Sequence, residues 1–187
     1  PTKISRNPVI MFVFLTFSVD LRNWLTLLTK RERHRFPIRG IQQETHKIMI
    51  GSIVPRPIAL VSTISNIGQN NIAPFSYFNG VCSKPPTIMF APGRRGWDGL
   101  EKDTLINIRK TKEFVVNIVS ESFGEQMVAC ATDYDSDIDE FEISKLSPVK
   151  SEKLSCPRLL EAKISFECTL NQIVEIGDGT AGSGFIV

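Results

Sequence analysis

Two apolar segments joined by a short polar turn are the feature that most constrains the fold. Residues 58–64 read Ile-Ala-Leu-Val-Ser-Thr-Ile, and residues 72–81 alternate aromatic with small side chains. The Pro-Arg-Pro stretch at residues 55–57 excludes a helix before the first segment. Residues 66–71 are polar and typical of a turn. The pattern predicts two antiparallel strands, with Pro74 at a sheet edge or a bulge.

The rest of the chain has the same character, with strand-like segments separated by prolines, glycines and short helices. We predict further strands at residues 87–91, 114–119 and 163–176, and another that begins at Phe185. Helices are predicted over residues 42–50, from Asp103 or Thr104 to about Lys110, and over residues 121–131. A mainly β chain with short inserted helices favours an antiparallel barrel or sandwich.

Charge divides the chain into two parts. Residues 1–40 hold eight Lys or Arg against two Asp or Glu, whereas residues 41–187 hold 14 against 18. The apolar run at residues 9–19 is shorter than the roughly 20 residues that span a bilayer. We interpret residues 1–40 as a basic extension outside the domain, disordered or spurious, with a targeting segment as the alternative. The mildly acidic domain, residues 41–187, predicts neither a nucleic-acid nor a membrane partner.

The cysteines and histidines do not predict a metal site. The four cysteines contain no C-x-x-C pair, and neither of the two histidines lies near one in sequence. Buried free thiols in a reducing compartment are the better interpretation, so we expect a cytoplasmic protein. No Ser/His/Asp or Cys/His set can be nominated, so no catalytic residue is predicted.

Two polar clusters predict an anion site. Lys102, Asp103 and Thr104 stand at the start of a predicted helix, where a cation, backbone amides and a hydroxyl can meet one anion. Ser62 and Thr63 end the first strand. Each cluster alone is better explained as a plain turn, for Ser62 and Thr63, or as an ordinary helix cap, for Lys102 to Thr104. Together, in a mostly β chain, they favour a phosphate-bearing cofactor. Arg56 either adds positive charge to this site or faces solvent before the strand.

The aromatic segment is a candidate for the ring of such a cofactor. Phe75 and Tyr77 are explained most simply as core or interface aromatics. Ser76 and Asn79 are polar residues in an apolar strand, and a ligand can supply the partners that buried polar groups need.

The order of these segments resembles one known family. Residues 56–63, 71–79, 85–86, 102–108, 113–117 and 139–142 resemble the flavin reductase-like family, which includes the flavoredoxins. The resemblance covers about residues 42–187. It implies an FMN-binding split β-barrel of antiparallel, Greek-key type that forms a homodimer, with FMN near the dimer interface. The family pattern continues beyond Phe185 with at least one further strand, so a C-terminally incomplete barrel is expected.

The resemblance also implies an activity and a site. It implies electron transfer from NADH or NADPH to flavin, with bound FMN and no protein acid, base or nucleophile. An FMN-binding electron carrier that does not itself oxidise nicotinamide is the alternative, and a fragment that binds no flavin is a third possibility. Ser62, Thr63, Lys102 and Thr104 are implied at the phosphate, and the 73–79 strand along the ring. The full predicted site is Arg56, Ser62, Thr63, Ala73, Pro74, Phe75, Ser76, Tyr77, Asn79, Lys102, Asp103 and Thr104.

Overall fold

The computed structural model describes residues 42–135, 138–179 and 182–187. The chain divides into two units, with the boundary between Val54 and Pro55. In the first unit, helix α1 (Gln42–Ser52) confirms the helix predicted at residues 42–50. The predicted N-terminal extension, residues 1–40, lies outside the described residues.

The second unit is mainly β with short helices, as predicted. Its strands are β1 (Ala59–Ile64), β2 (Asn70–Phe75), β3 (Phe78–Ser83), β4 (Pro86–Phe90), β5 (Glu113–Ile118), β6 (Pro148–Val149), β7 (Arg158–Leu159), β8 (Ser165–Thr169), β9 (Val174–Ile176) and β10 (Gly184–Ile186). Its helices are α2 (Asp103–Thr111), α3 (Gly124–Ala129) and α4 (Glu140–Ser144), and a 3-10 turn (Glu121–Phe123) leads into α3. In the described part of the chain, no helix combines the length and apolar character needed to cross a bilayer.

A four-stranded antiparallel sheet organises this unit. Its strand order is β2-β1-β5-β8, so β1 and β5 are central and β2 and β8 are edges. The pairs β3/β4, β6/β7 and β9/β10 form smaller sheets. β4 is tied to the end of β10 by two backbone bonds between Phe90 and Val187, of 3.1 and 2.9 Å.

The central sheet separates two hydrophobic cores because side chains alternate across its strands. Ala59 and Val61 of β1 face one core, which also contains Phe90 of β4 and Phe185 of β10. Leu60 of β1 faces the other core, beneath the 3-10 turn, α4 and β7. β1 is therefore apolar on both faces, which explains its continuous hydrophobic run.

The predictions of one continuous strand at residues 72–81 and another at residues 163–176 are wrong. Each range contains two strands that belong to different sheets. Residues 72–81 do not form one strand: β2 pairs with β1, whereas β3 pairs with β4. The chain changes sheet at Ser76 and Tyr77, between the end of β2 and the start of β3. Residues 163–176 divide in the same way into β8 and β9. The helix predicted over residues 121–131 is shortened to the 3-10 turn and α3.

The Asn117 side chain joins four strands in the second core. Its Nδ2 donates to the Leu60 carbonyl and to the Ser62 hydroxyl, both at 3.1 Å. Its Oδ1 accepts from the Leu159 amide at 3.0 Å and from the Ser165 hydroxyl at 2.8 Å. The amide thereby makes all four hydrogen bonds available to it while fully buried. These bonds connect β5 with β1, β7 and β8.

We expect Asn117→Ala to lower the free energy of unfolding by about 2–4 kcal/mol, because it leaves several buried polar groups without partners. Chemical denaturation followed by circular dichroism measures this change. Asn171 is exposed, so Asn171→Ala is the matched control and should cost less than about 0.5 kcal/mol. Equal losses in the two variants would contradict the role of the amide.

Candidate functional site

The open edge of β2 forms one wall of the candidate site. The Ile72 N–H points away from β1 and donates to Oε2 of Glu140 at 3.3 Å. Since backbone direction alternates along a strand, the missing N–H of Pro74 is also on this outer side. The proline therefore removes no sheet hydrogen bond, which confirms its predicted position at an edge.

The start of α2 forms the second wall. Lys102 holds the N-cap position with an extended backbone, φ −71° and ψ 150°, and its side chain does not cap the helix. The carbonyl of Lys102 accepts from the amides of Leu105 and Ile106 at 2.9 and 3.1 Å. The predicted helix is confirmed, and its first turn presents the partial positive charge of a helix N-terminus.

Two asparagine amides fasten this helix to the sheet. Asn71 Nδ2 donates to the Thr104 hydroxyl at 3.0 Å. Asn107 Nδ2 donates to the Thr63 hydroxyl at 3.1 Å. All four residues are at least nine-tenths buried. Since Thr63 and Asn71 face each other across β1 and β2, the two bonds fix α2 against a single point of the sheet.

Between the β2 edge and α2 lies a cavity of about 50 Å³. It is lined by Asn71, Ala73, Pro74, Phe75, Arg95, Lys102, Asp103, Thr104, Cys130, Ala131, Thr132, Asp133, Tyr134 and Glu140. The structure thus brings together six of the predicted site residues, namely Ala73, Pro74, Phe75, Lys102, Asp103 and Thr104.

Ser62 and Thr63 lie elsewhere, in the protein interior. Both side chains are fully buried. The Ser62 hydroxyl donates to the Pro157 carbonyl at 2.5 Å and accepts from Asn117, while the Thr63 hydroxyl accepts from Asn107. These hydroxyls hold strands and helix together, and their role at a phosphate stays a prediction.

The other predicted residues are also outside the cavity lining. Arg56 precedes β1, and Ser76 and Tyr77 form the step between β2 and β3. Asn79 is exposed on β3, and its Oδ1 accepts from the neighbouring Gly80 amide at 2.9 Å. The part of these residues in ligand binding stays a prediction.

Arg95 is a cation in the cavity wall that the sequence interpretation missed. Its Nε is buried and has no hydrogen-bond partner within the described residues. Its other end is held by Asp98, at 3.2 Å, and by the Trp97 ring, whose centroid is 5.2 Å from Cζ. The available signal was a pair of arginines in a glycine-flanked loop, residues 93–96. That pattern does not reveal which arginine faces the site.

Glu140 is the second residue that the sequence interpretation missed, and its carboxyl is an unusually weak acid. Burial raises the pKa of its carboxyl to about 7, and the carboxylates of Asp139 and Asp103 add a smaller upward effect. The neighbouring thiol of Cys130 also has a raised pKa because it is buried. The cavity therefore contains a carboxyl that exchanges its proton near neutral pH.

The predicted absence of a metal site stays a prediction about the whole chain. Across the described residues, no three His, Cys, Asp or Glu side chains are grouped to hold a metal ion. The expected buried free thiols are present at Cys130 and Cys156, whereas Cys82 is exposed and Cys168 is half-buried. Burial raises the pKa of Cys156 to about 12 and that of Cys168 to about 11, so both stay protonated thiols at neutral pH.

Comparison with known proteins gives consistent matches. The sequence model of the flavin reductase like domain matches residues 49–187. An uncharacterised protein of Aquifex aeolicus is 46% identical over 133 residues, which are 71% of this chain and 67% of that protein. Across five curated relatives, the matched segment spans between 56% and 70% of the length of the relative.

Solved structures match most of the chain. Nitrilotriacetate monooxygenase component B from Bacillus cereus is 34% identical with a TM-score of 0.77, over 84% of this chain and 78% of that one. A structure with a split barrel domain from Shewanella frigidimarina has a TM-score of 0.64 at 22% identity, over 77% and 70% of the two chains, and shows the fold alone. This chain therefore belongs to the flavin reductase-like family, and its mainly β fold is a split barrel.

Proposed function

We propose that this chain binds FMN and transfers electrons from NADH or NADPH to flavin. The observation that carries the proposal is the cavity at the β2 edge. There the helix start at Lys102, Asp103 and Thr104 meets the Ala73–Phe75 segment. The sequence predicts that the helix start binds the flavin phosphate and that the strand segment lies along the ring. Family membership supports a flavin-related reductase activity.

The phosphate end of the site is assigned to Lys102, Arg95 and Thr104. Arg95 fits an anion because its buried Nε has no hydrogen-bond partner in the described part of the chain, and an anion can supply one. Lys102 is at present ion-paired with Asp133, so it can exchange one anionic partner for another. The N-terminus of α2 adds its dipole.

The ring end is assigned to the β2 edge. When bound, FMN supplies the isoalloxazine that accepts and donates electrons, while the protein binds and orients it. Ala73, Pro74 and Phe75 offer an apolar surface with open backbone on one side. Because the flavin supplies the chemistry, the site needs no nucleophile or general base of its own.

The first test is direct. We expect the purified chain to bind FMN and to oxidise NADH or NADPH when FMN is present, as measured by absorbance at the flavin and nicotinamide maxima. Tight FMN binding without nicotinamide oxidation would favour the electron carrier. A protein that neither binds FMN nor oxidises nicotinamide would contradict the proposed function.

Substitutions at the phosphate end give a second test. Arg95→Ala and Lys102→Ala should each weaken FMN binding by about 1–3 kcal/mol, because each removes a charge-assisted hydrogen bond to phosphate. Fluorescence titration with FMN measures the change. Lys110→Ala is the matched control, since Lys110 is an exposed cation at the far end of α2. It should leave the affinity nearly unchanged. If all three variants bind alike, the phosphate assignment is wrong.

We also propose that the chain forms a homodimer in the cytoplasm. β8 is a sheet edge, and its Phe166 is 42% exposed beside Ile164 at 53%. On β9, Ile176 is 51% exposed. A second copy of the chain would cover these apolar side chains and the strand edge. All four cysteines are free, as is typical of a reducing compartment.

Sedimentation velocity should give twice the mass of the chain for the wild type. Ile176→Glu should weaken the dimer by about tenfold or more, because it places a charge in an apolar interface. Ile67→Glu is the control, since Ile67 is 81% exposed in the β1–β2 turn, and it should remain dimeric. A monomeric wild type would overturn the proposed dimer.

A further inference from the structure

We propose that Glu140 takes up a proton from solvent when the flavin phosphate enters the cavity, so that this carboxyl sets the pH range in which the chain holds FMN. The inference rests on the proposed function and extends it. It makes Glu140 a positioning residue, since it acts through the charge of the site and not on the reacting atoms of the flavin.

The carboxyl of Glu140 lies between the backbone of β2 and the cavity. Glu140 is the first residue of α4, after the N-cap Asp139. Its Oε2 accepts from the Ile72 N–H at the open edge of β2, and its side chain also lines the cavity. The same carboxyl therefore supports the β2 edge and faces the space assigned to phosphate.

The cavity wall contains more carboxyls than cations, which disfavours the entry of a further anion. The lining contains two cations, Arg95 and Lys102, against three carboxyls, Asp103, Asp133 and Glu140. Each cation already has a carboxylate partner, Asp98 for Arg95 and Asp133 for Lys102. A phosphate monoester brings a charge of about −1.5 to −2 at pH 7. Its entry adds negative charge to a wall that already carries an excess of carboxylates.

Among the carboxyls of the cavity, Glu140 is the one best suited to reduce this negative charge by taking up a proton. Burial raises its pKa to about 7, so little work is needed to protonate it at neutral pH. Hydrogen bonds from the backbone amides of Glu140 and Ile72 lower this pKa, whereas the carboxylates of Asp139 and Asp103 raise it, and burial outweighs the amides. Glu142 on α4 is exposed, and the Cys130 thiol beside the cavity has a raised pKa. A bound phosphate is a further like charge, so it raises the pKa of Glu140 again.

The sign of the pH dependence follows. Below pH 7 Glu140 is already protonated in the free protein, and FMN binding requires no proton uptake. Above pH 7 it is ionised, and each unit of pH weakens binding by up to tenfold. With a free-state pKa of about 7, the affinity for FMN should fall about 5–10-fold between pH 7.5 and pH 8.5. The phosphate itself titrates near pH 6 and contributes little in this range.

The test compares flavins, pH values and matched variants in the full chain. FMN and riboflavin are titrated by fluorescence from pH 7.5 to pH 9, and proton uptake is measured by calorimetry in buffers of different ionisation enthalpy. Glu140→Gln removes the titration and keeps an oxygen that can accept from Ile72. Glu142→Gln makes the same change at an exposed site on the same helix.

The expected results are specific. The wild type and Glu142→Gln lose FMN affinity with rising pH and take up close to one proton at pH 8. Glu140→Gln changes by less than about twofold over the same range, takes up almost no proton and binds FMN more tightly than the wild type at pH 8.5. Riboflavin, which lacks the phosphate, shows little pH dependence with any of the proteins.

Two outcomes overturn the inference and are distinguishable. FMN binding with a flat pH profile in the wild type, or an equally steep profile in Glu140→Gln, would remove the role of Glu140 and leave the proposed function standing. Absence of FMN binding at every pH would remove the proposed function and this inference together. If Glu140→Gln does not fold, an absence of proton uptake by the wild type at pH 8 still overturns the inference.

Discussion

The buried amide of Asn117 is the interaction on which the site depends. It makes four hydrogen bonds without access to water, and each ends on a different residue of β1, β7 or β8. A low-dielectric interior makes such bonds strong and makes an unpaired partner costly. The spacing of these strands therefore has little freedom. β2 pairs in register with β1. The position of the open edge therefore depends on the Asn117 amide, which lies two strands away on β5.

An open edge is normally a hazard, because its unpaired backbone groups can recruit another strand. Two local features of β2 reduce the number of its unpaired outward N–H groups. Pro74 removes one outward N–H, and Glu140 accepts from another, at Ile72. The edge is protected from strand addition while its side chains still line a cavity. The same carboxyl that protects the edge is the one that titrates near neutrality, which joins a structural role to an electrostatic one.

Local patterns predicted much of the fold and part of the site. β1, β5 and α2 were recognised because their apolar periodicity and flanking residues are properties of a few neighbouring positions. The break at Ser76 and Tyr77 was not recognisable, because a change of sheet depends on which strands pair. Arg95 and Glu140 were missed for a related reason, since distant segments bring them to α2. The Ser62 hydroxyl bonds to Pro157 and Asn117. A hydroxyl in an apolar strand has the same sequence signature whether its partner is a ligand or the protein, so its role at a phosphate stays a prediction.

The two ends of the proposed flavin site are mechanically one piece. Asn71 joins β2 to Thr104, and Asn107 joins α2 to Thr63, so the helix start and the strand edge share buried bonds. An anchor for phosphate and a platform for a ring are useful only if the distance between them is constant, because a small misplacement of a reacting group is costly. Electron transfer through a flavin requires no protein nucleophile. What the chain must supply is a rigid position and a suitable charge, and its buried polar residues are arranged for those two tasks.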